Sequence, residues 1–152
     1  MFRSILVPVD VAQTSSWRYA LPQAIELATA AQGTVVAMTV VRDIKAILEG
    51  VYLQGQLDRM IGDARAKLSE IIAQQTSGPV TLAQVVRTGS IAHEILAVAR
   101  EQACDLILMA SHRPEMRDYF IGPVAAHVAQ RAECSVLVHR QFDELTPTMI
   151  VS

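Results

Sequence analysis

Cysteine is scarce in this chain: Cys104 and Cys134 are its two thiols. Neither belongs to a C-x-x-C pair or a Cys/His cluster, so no zinc site is read. Each stands just before an apolar run and is expected to be a buried free thiol rather than half of a disulfide, which suits a reducing cytoplasm. A surplus of either charge is also missing, since 13 Lys and Arg against 15 Asp and Glu leave a formal charge of -2. A nucleic-acid binder ordinarily carries a basic surplus or stripe, so that class is set aside. No run approaches the roughly 18–20 unbroken apolar residues of a membrane helix. The opening Met1-Phe2-Arg3-Ser4 leads into a strand-like run with no signal-peptide pattern, so a cytoplasmic location is expected. Absent too are G-x-x-x-x-G-K-[ST], a G-x-G-x-x-G at the first turn and the G-x-S-x-G elbow. His93, His112, His127 and His139, the four histidines, have no metal-ligand spacing. Ser111 and His112 put a hydroxyl beside an imidazole, but no third group orients the ring, so no catalytic residue is assigned. There is no internal repeat.

What remains is a chain of 152 residues, 51% apolar, with a mean hydropathy of +0.30. That suits one domain with a sizeable core. Ile5-Leu6-Val7-Pro8-Val9 reads as a buried strand ending in Asp10. A carboxylate at the carboxyl end of a first strand can accept hydrogen bonds from a ligand's hydroxyls or base edge; a turn or helix-capping role is the alternative. Gln13-Thr14-Ser15-Ser16 offers N-caps to a helix running to about Gln32, with Ala20, Ala24, Leu27, Ala28 and Ala31 on one face. Pro22 falls in its first two turns, and Gly33 marks its stop. Thr34 to Val41 is a second buried strand, rich in β-branched residues. Arg42 to Gly50 is a connector without a clean pattern. From Val51 to Gln75 apolar residues recur at helical spacing, over more length than a sheet-covering helix needs, so the first turns are expected to overhang the sheet as part of a lid. Val80 to Val86 is a third strand, marked as an edge by Gln84 and Arg87. Ser90 stands where it can cap a helix from Ile91 to Ala103, with Ile91, Ile95, Val98 and Ala99 facing inward.

The stretch from Asp105 to Arg140 organises the rest. Leu106 to Ala110 and Ser135 to Val138 are short apolar runs that suit strands buried on both faces. Between them lie a polar loop, Ser111 to Asp118, a lone Gly122, and Val124 to Ala132 at helical spacing. The unit is strand, loop, helix, strand. Its loop leaves the carboxyl end of a strand and feeds the amino end of a helix, the place where open α/β sheets bind ligands and where main-chain N–H groups favour anions. Arg113 and Arg117 could pair with phosphate there, or be solvated surface charges. The order β-α-β-α-β-α-β-α-β predicts an α/β fold, a parallel sheet covered by helices on both faces.

The last stretch resembles the C-terminal signature of the universal stress protein family. Nucleotide-binding members of that family carry G-x-x-G, a spacer, then G-S or G-T, and wrap these around the phosphates of ATP. A subgroup of small bacterial members has A-S-H-R-P, a shorter loop, then G-S. Ala110-Ser111-His112-Arg113-Pro114 followed by Gly122-Pro123 looks closest to that subgroup. The opening Val7-Pro8-Val9-Asp10 is similar to the family's V-P-x-D. Two departures stand out: Ala110 and Arg113 replace glycines of the general motif, and Pro123 replaces its hydroxyl.

The resemblance covers Arg3 to Arg140. It implies a five-stranded sheet in the order 3-2-1-4-5 in one domain, residues 1–140, of the adenine nucleotide α-hydrolase-like kind. Residues 141–152 form a C-terminal tail, with Phe142 and Met149-Ile150-Val151 leaving both docking and disorder open. As site residues it implies Pro8, Val9 and Asp10 by the nucleoside and Val40 against the adenine, with Ala110, Ser111, His112, Arg113, Gly122, Pro123 and Val124 around the phosphates. The ligand would be ATP or AMP, weakly held, with no metal beyond the Mg2+ that accompanies a nucleotide. The implied activity is regulatory, in the stress response, with at most slow ATP hydrolysis; the alternative is a dimeric interaction module that binds no nucleotide. Ser135 to Val138 would be the strand through which two copies form a homodimer.

Overall fold

A computed structural model of the chain describes residues 1–42, 54–75, 78–111 and 122–140. The connector residues 43–50, most of the loop from Ser111 to Asp118, and the tail 141–152 lie outside the described residues. The strands are β1 (Ser4–Pro8), β2 (Thr34–Arg42), β3 (Thr81–Gly89), β4 (Leu106–Ala110) and β5 (Ser135–His139). The helices are α1 (Ala20–Ala31), α2 (Gln54–Gln75), α3 (Ile91–Glu101) and α4 (Pro123–Arg131). All strand pairs are parallel, and the sheet has five strands in the order β3-β2-β1-β4-β5. This is the predicted topology.

Two apolar layers explain the sequence pattern. On one face Ile5, Val7, Val35, Leu106 and Leu108 pack against Leu21, Ala24 and Ala28 of α1 and Leu68 and Ile71 of α2. On the other, Leu6, Met38, Ile107 and Met109 pack against Ile95 and Val98 of α3 and Ala125 and Val128 of α4. Alternate residues of each central strand therefore enter opposite layers, and both must be apolar. Burying each such Leu, Ile, Val or Met contributes about 1.5–3 kcal/mol. In α2 the buried positions are Ala64, Leu68 and Ile71, so its first turns carry little of the core.

The centre of the sheet is pinned at its amino end. Asp105, just before β4, accepts from the N–H groups of Arg3 (2.9 Å) and Ser4 (3.1 Å) through its two carboxylate oxygens, and its own N–H donates to the Ser4 carbonyl at 2.9 Å.

Three local expectations need correction. Thr14–Ser16 forms a single 3-10 turn, and α1 starts later, at Ala20, with no side chain capping either. Proline has no N–H, so α1 starts where Pro22 falls on its first turn, whose N–H groups have no intrahelical partner. Second, the residue that ends α1 in the left-handed region is Gln32 (φ 54°, ψ 40°), not Gly33. Third, Ser90 occupies the N-cap of α3 with extended backbone, yet its side chain makes no cap hydrogen bond.

Candidate functional site

At the carboxyl ends of β1, β2 and β4 the two crossover directions part, and a cleft of about 830 Å3 opens there. Crevices of this kind arise wherever an open parallel sheet reverses its strand order.

One wall is the turn after β1. The Val9 N–H donates to the Met38 carbonyl at 2.7 Å and extends the β1–β2 ladder past the strand end. Asp10 follows, exposed, and its Oδ1 accepts from the Ala12 N–H at 3.0 Å. This is an Asx turn, in which the side chain replaces a main-chain acceptor. Ser16, 4% exposed, holds the loop from beneath. Its Oγ accepts from the Asp10 N–H at 2.9 Å and lies 3.0 Å from the Asp10 carbonyl and 2.8 Å from that of Gln13. Asp10, Gln13, Ser15 and Ser16 all line the cleft.

The floor is the top of the second apolar layer. Met38, Ile95 and Met109 reach the cleft while being 0%, 0% and 6% exposed, and Ile91 and Ala125 complete it. Val40 and Arg42, two residues apart on β2 and so on one face, form the far side. Among the described lining residues the charges are Asp10 and Arg42.

The remaining wall is the start of α4. Gly122 caps it at φ 83°, ψ 154°, a conformation essentially confined to glycine. Among the described residues a Cβ there would meet nothing within 4 Å; the positive φ is what asks for glycine. Pro123 takes the first helical position, where its fixed φ is favourable. The N–H groups of Val124 and Ala125 belong to the first turn, whose donors have no intrahelical partner, and the helix dipole adds partial positive charge.

The structure thus gathers Pro8, Val9, Asp10, Val40, Ala110, Gly122, Pro123 and Val124 around one cleft. Ser111 is not among the described lining residues; its N–H is tied to the His139 carbonyl at 2.9 Å. His112 and Arg113 lie outside the described residues. Sequence reasoning did not assign Gln13, Ser15, Ser16, Arg42 and the apolar floor to the site. The available signal was spacing: Met38, Val40 and Arg42 alternate on one strand face, and Ile91 and Ile95 stand one helical turn apart. Among the described residues no group of three His, Cys, Asp or Glu is arranged to hold a metal. No described helix is long and apolar enough to cross a membrane.

Universal stress protein G of Shigella flexneri is 30% identical over 78 residues, which cover 51% of this chain and 55% of that protein. The match spans about half the length of that relative. A solved universal stress protein family structure from Burkholderia pseudomallei superposes with a TM-score of 0.68 at 28% identity, covering 90% of this chain and 94% of its own. An Arabidopsis thaliana family protein with AMP bound gives a TM-score of 0.65 at 16% identity, covering 97% of each chain, and at that identity shows the fold alone. The model of the universal stress protein family matches residues 1–140, and the chain belongs to that family.

Proposed function

We propose that the cleft binds an adenine nucleotide weakly and that the protein serves a regulatory role in the stress response, without strong catalysis. The observation that carries this reading is the convergence of Asp10, Val40 and the amino end of α4 on one cleft. The volume, about 830 Å3, falls within the roughly 300–1,000 Å3 of small-molecule sites. A nucleoside fits the side where Asp10 meets Val40 and the apolar floor; its phosphate fits the free N–H groups of α4. The AMP found in the Arabidopsis thaliana neighbour supports the ligand class. The direct test is calorimetry with adenosine, AMP and ATP in Mg2+, joined to mass spectrometry of whatever co-purifies. Micromolar-to-millimolar binding is expected. No binding of any of the three at millimolar concentration sinks the reading, and phosphate release over hours would point instead to a slow hydrolase.

Asp10 offers a sharper test because its two oxygens have separable tasks. Asp10→Asn keeps an acceptor for the Ala12 N–H and removes the charge. Hydrogen bonds to a charged acceptor are roughly twice as strong as neutral ones, so Asp10→Asn is expected to weaken nucleotide binding several-fold with an unchanged melting temperature. Asp10→Ala should also cost about 0.5–1.5 kcal/mol of stability, the net worth of one hydrogen bond. Thermal melts with and without ATP measure both.

A second reading, an interaction module formed by two copies, draws on β5. It is an edge strand of the sheet, and its residues Val136 to His139 are half-buried while Ser135 is exposed. An apolar edge invites pairing with another chain, and a two-fold axis would pair two such strands antiparallel. Sedimentation equilibrium at micromolar concentration should give a dimer. Leu137→Lys should weaken it, with a melt of the variant checking that the fold survives. A strictly monomeric wild type overturns the pairing.

A further inference from the structure

At the end of the sheet opposite the cleft, a second cavity of about 270 Å3 opens where α3 and α4 finish. Its lining brings together Cys104 and Cys134, both free thiols. Both pack into the same apolar cluster, Cys104 only 8% exposed and Cys134 half-buried at the margin. Local geometry accounts for the meeting. α3 ends with Ala103 in the left-handed region (φ 50°), and the Cys104 N–H donates back to the Ala99 carbonyl at 2.8 Å. That helix-ending turn delivers Cys104 to the foot of β4. The β4–β5 register pairs Leu106 with Ser135; continued one step back, it sets Cys134 beside Asp105, one residue from Cys104. At a strand spacing of about 4.8 Å and a rise of about 3.3 Å per residue, positions offset by one residue on neighbouring strands lie about 6 Å apart. A disulfide spans roughly 4.4–6.8 Å.

We propose that Cys104 and Cys134 form a reversible dithiol–disulfide pair, oxidised by a small soluble disulfide such as glutathione disulfide, with Cys134 attacking first and Cys104 closing the bond. In the first step the Cys134 thiolate attacks one sulfur of the small disulfide. The S–S bond breaks, one small thiolate leaves and takes up a proton, and a mixed disulfide remains on Cys134. The Cys104 thiolate then attacks the Cys134 sulfur, and the second small thiolate leaves and is protonated. The protein gives up two electrons and two protons, and the small disulfide becomes two thiols. Accessibility assigns the roles, since the reagent reaches the half-buried thiol before the buried one.

The surroundings make the pair slow at neutral pH. Burial pushes the Cys104 thiol up; the Ser4 hydroxyl, 3.5 Å away, pulls it back, and the charges of Cys134 and Asp105 raise it again. Burial likewise raises Cys134; main-chain hydrogen bonding pulls it back in part, and Asp105 and Glu133 add to the rise. The other charged groups lining the cavity are Arg100, paired with Glu133 at 3.1 Å, and Arg131. Only the thiolate reacts, so the rate grows about tenfold per pH unit below the thiol pKa, and the rise continues past the ordinary thiol range. Once formed, the bond staples the start of β4 to the start of β5 and fixes the carboxyl end of α4, whose amino end borders the cleft.

The test uses the full chain with excess glutathione disulfide at about pH 7 and pH 9, quenched with a thiol-blocking reagent and weighed intact. Wild type is expected to lose the mass of two hydrogens, faster at the higher pH, and to recover both thiols in dithiothreitol. Cys104→Ser should stop as a glutathione adduct on Cys134. Cys134→Ser should react far more slowly, since its remaining thiol is the buried one. Far-UV spectra of the serine variants check their folding. A wild type that keeps both thiols at the higher pH, holds a stable adduct, or links two chains overturns the proposal.

Discussion

Gly33→Ala should lower the melting temperature by roughly 4–12 °C, about 2–3 kcal/mol for a chain of this size. A methyl at residue 33 would lie 2.3 Å from the Arg3 carbonyl oxygen and 2.8 Å from its Cα and carbonyl carbon. Those atoms cannot swing aside as a side chain would. The same carbonyl accepts from the Thr34 N–H at 2.7 Å, next to the register pair Ser4–Thr34 that begins the β1–β2 ladder. On its other side, the Gly33 N–H donates to the Ala28 carbonyl at 2.8 Å and closes α1. Relief of the clash must therefore loosen either the helix end or the first rung of the central strand pair. Thermal denaturation with a matched Gln32→Gly control measures it. Gln32 holds the left-handed conformation, so glycine there should be neutral or slightly stabilising. Equal melts for wild type and Gly33→Ala would show that the α1–β2 junction yields without cost.

Pro123→Ser should tighten ATP by about 10- to 100-fold while leaving adenosine unchanged. Proline at the first position of α4 offers neither an N–H nor a hydroxyl to an anion at that helix start. Serine supplies both. Hydrogen bonds to charged groups contribute about 1.5–3 kcal/mol each before water reclaims a share, and about 1.4 kcal/mol is tenfold in affinity. The neighbouring N–H groups, the dipole and the Asp10 and Val40 wall are common to both proteins, so the gain should follow the phosphates and not the base. A small loss of stability, about 0.4–1 kcal/mol, should accompany the change, because proline restricts the unfolded chain. Calorimetry with ATP and adenosine on both proteins decides it. An equal gain for adenosine, or none for ATP, would remove Pro123 as the weak point of the phosphate side.

Most of the fold was legible in the sequence, for a physical reason. β4 lies between two helical layers, so its apolar run is unbroken and its limits sharp: it begins and ends where the run from Leu106 to Ala110 does. Element ends were less legible where two signals competed. Thr14, Ser15 and Ser16 have the chemistry of helix caps, but the missing N–H of Pro22 moves the start of α1, and Ser16 spends its hydroxyl on the Asp10 turn. Gly33 read as the stop of α1, and the helix does end just before it; its further constraint is the Arg3 backbone, which no local pattern reveals. In the site, the polar wall and the α4 start followed from the rule that ligands sit at the carboxyl ends of parallel strands. The floor did not, since Met38, Ile95 and Met109 are core residues whose outermost atoms border the cleft.

The carboxylate of Asp105 on the N–H groups of Arg3 and Ser4 spans about a hundred residues of sequence, and it bears on how the protein is made. β1 is the middle strand of the sheet, with β2 on one side and β4 on the other. During synthesis its first partner follows soon, but its second emerges some hundred residues later, about 5–20 s at the usual 5–20 residues per second. Through that interval the nascent chain holds the apolar Ile5-Leu6-Val7 run of β1 with one open edge, a state prone to wrong pairing. Pausing or truncation between β3 and β4 should therefore be far more damaging to soluble yield than the same interruption after β4.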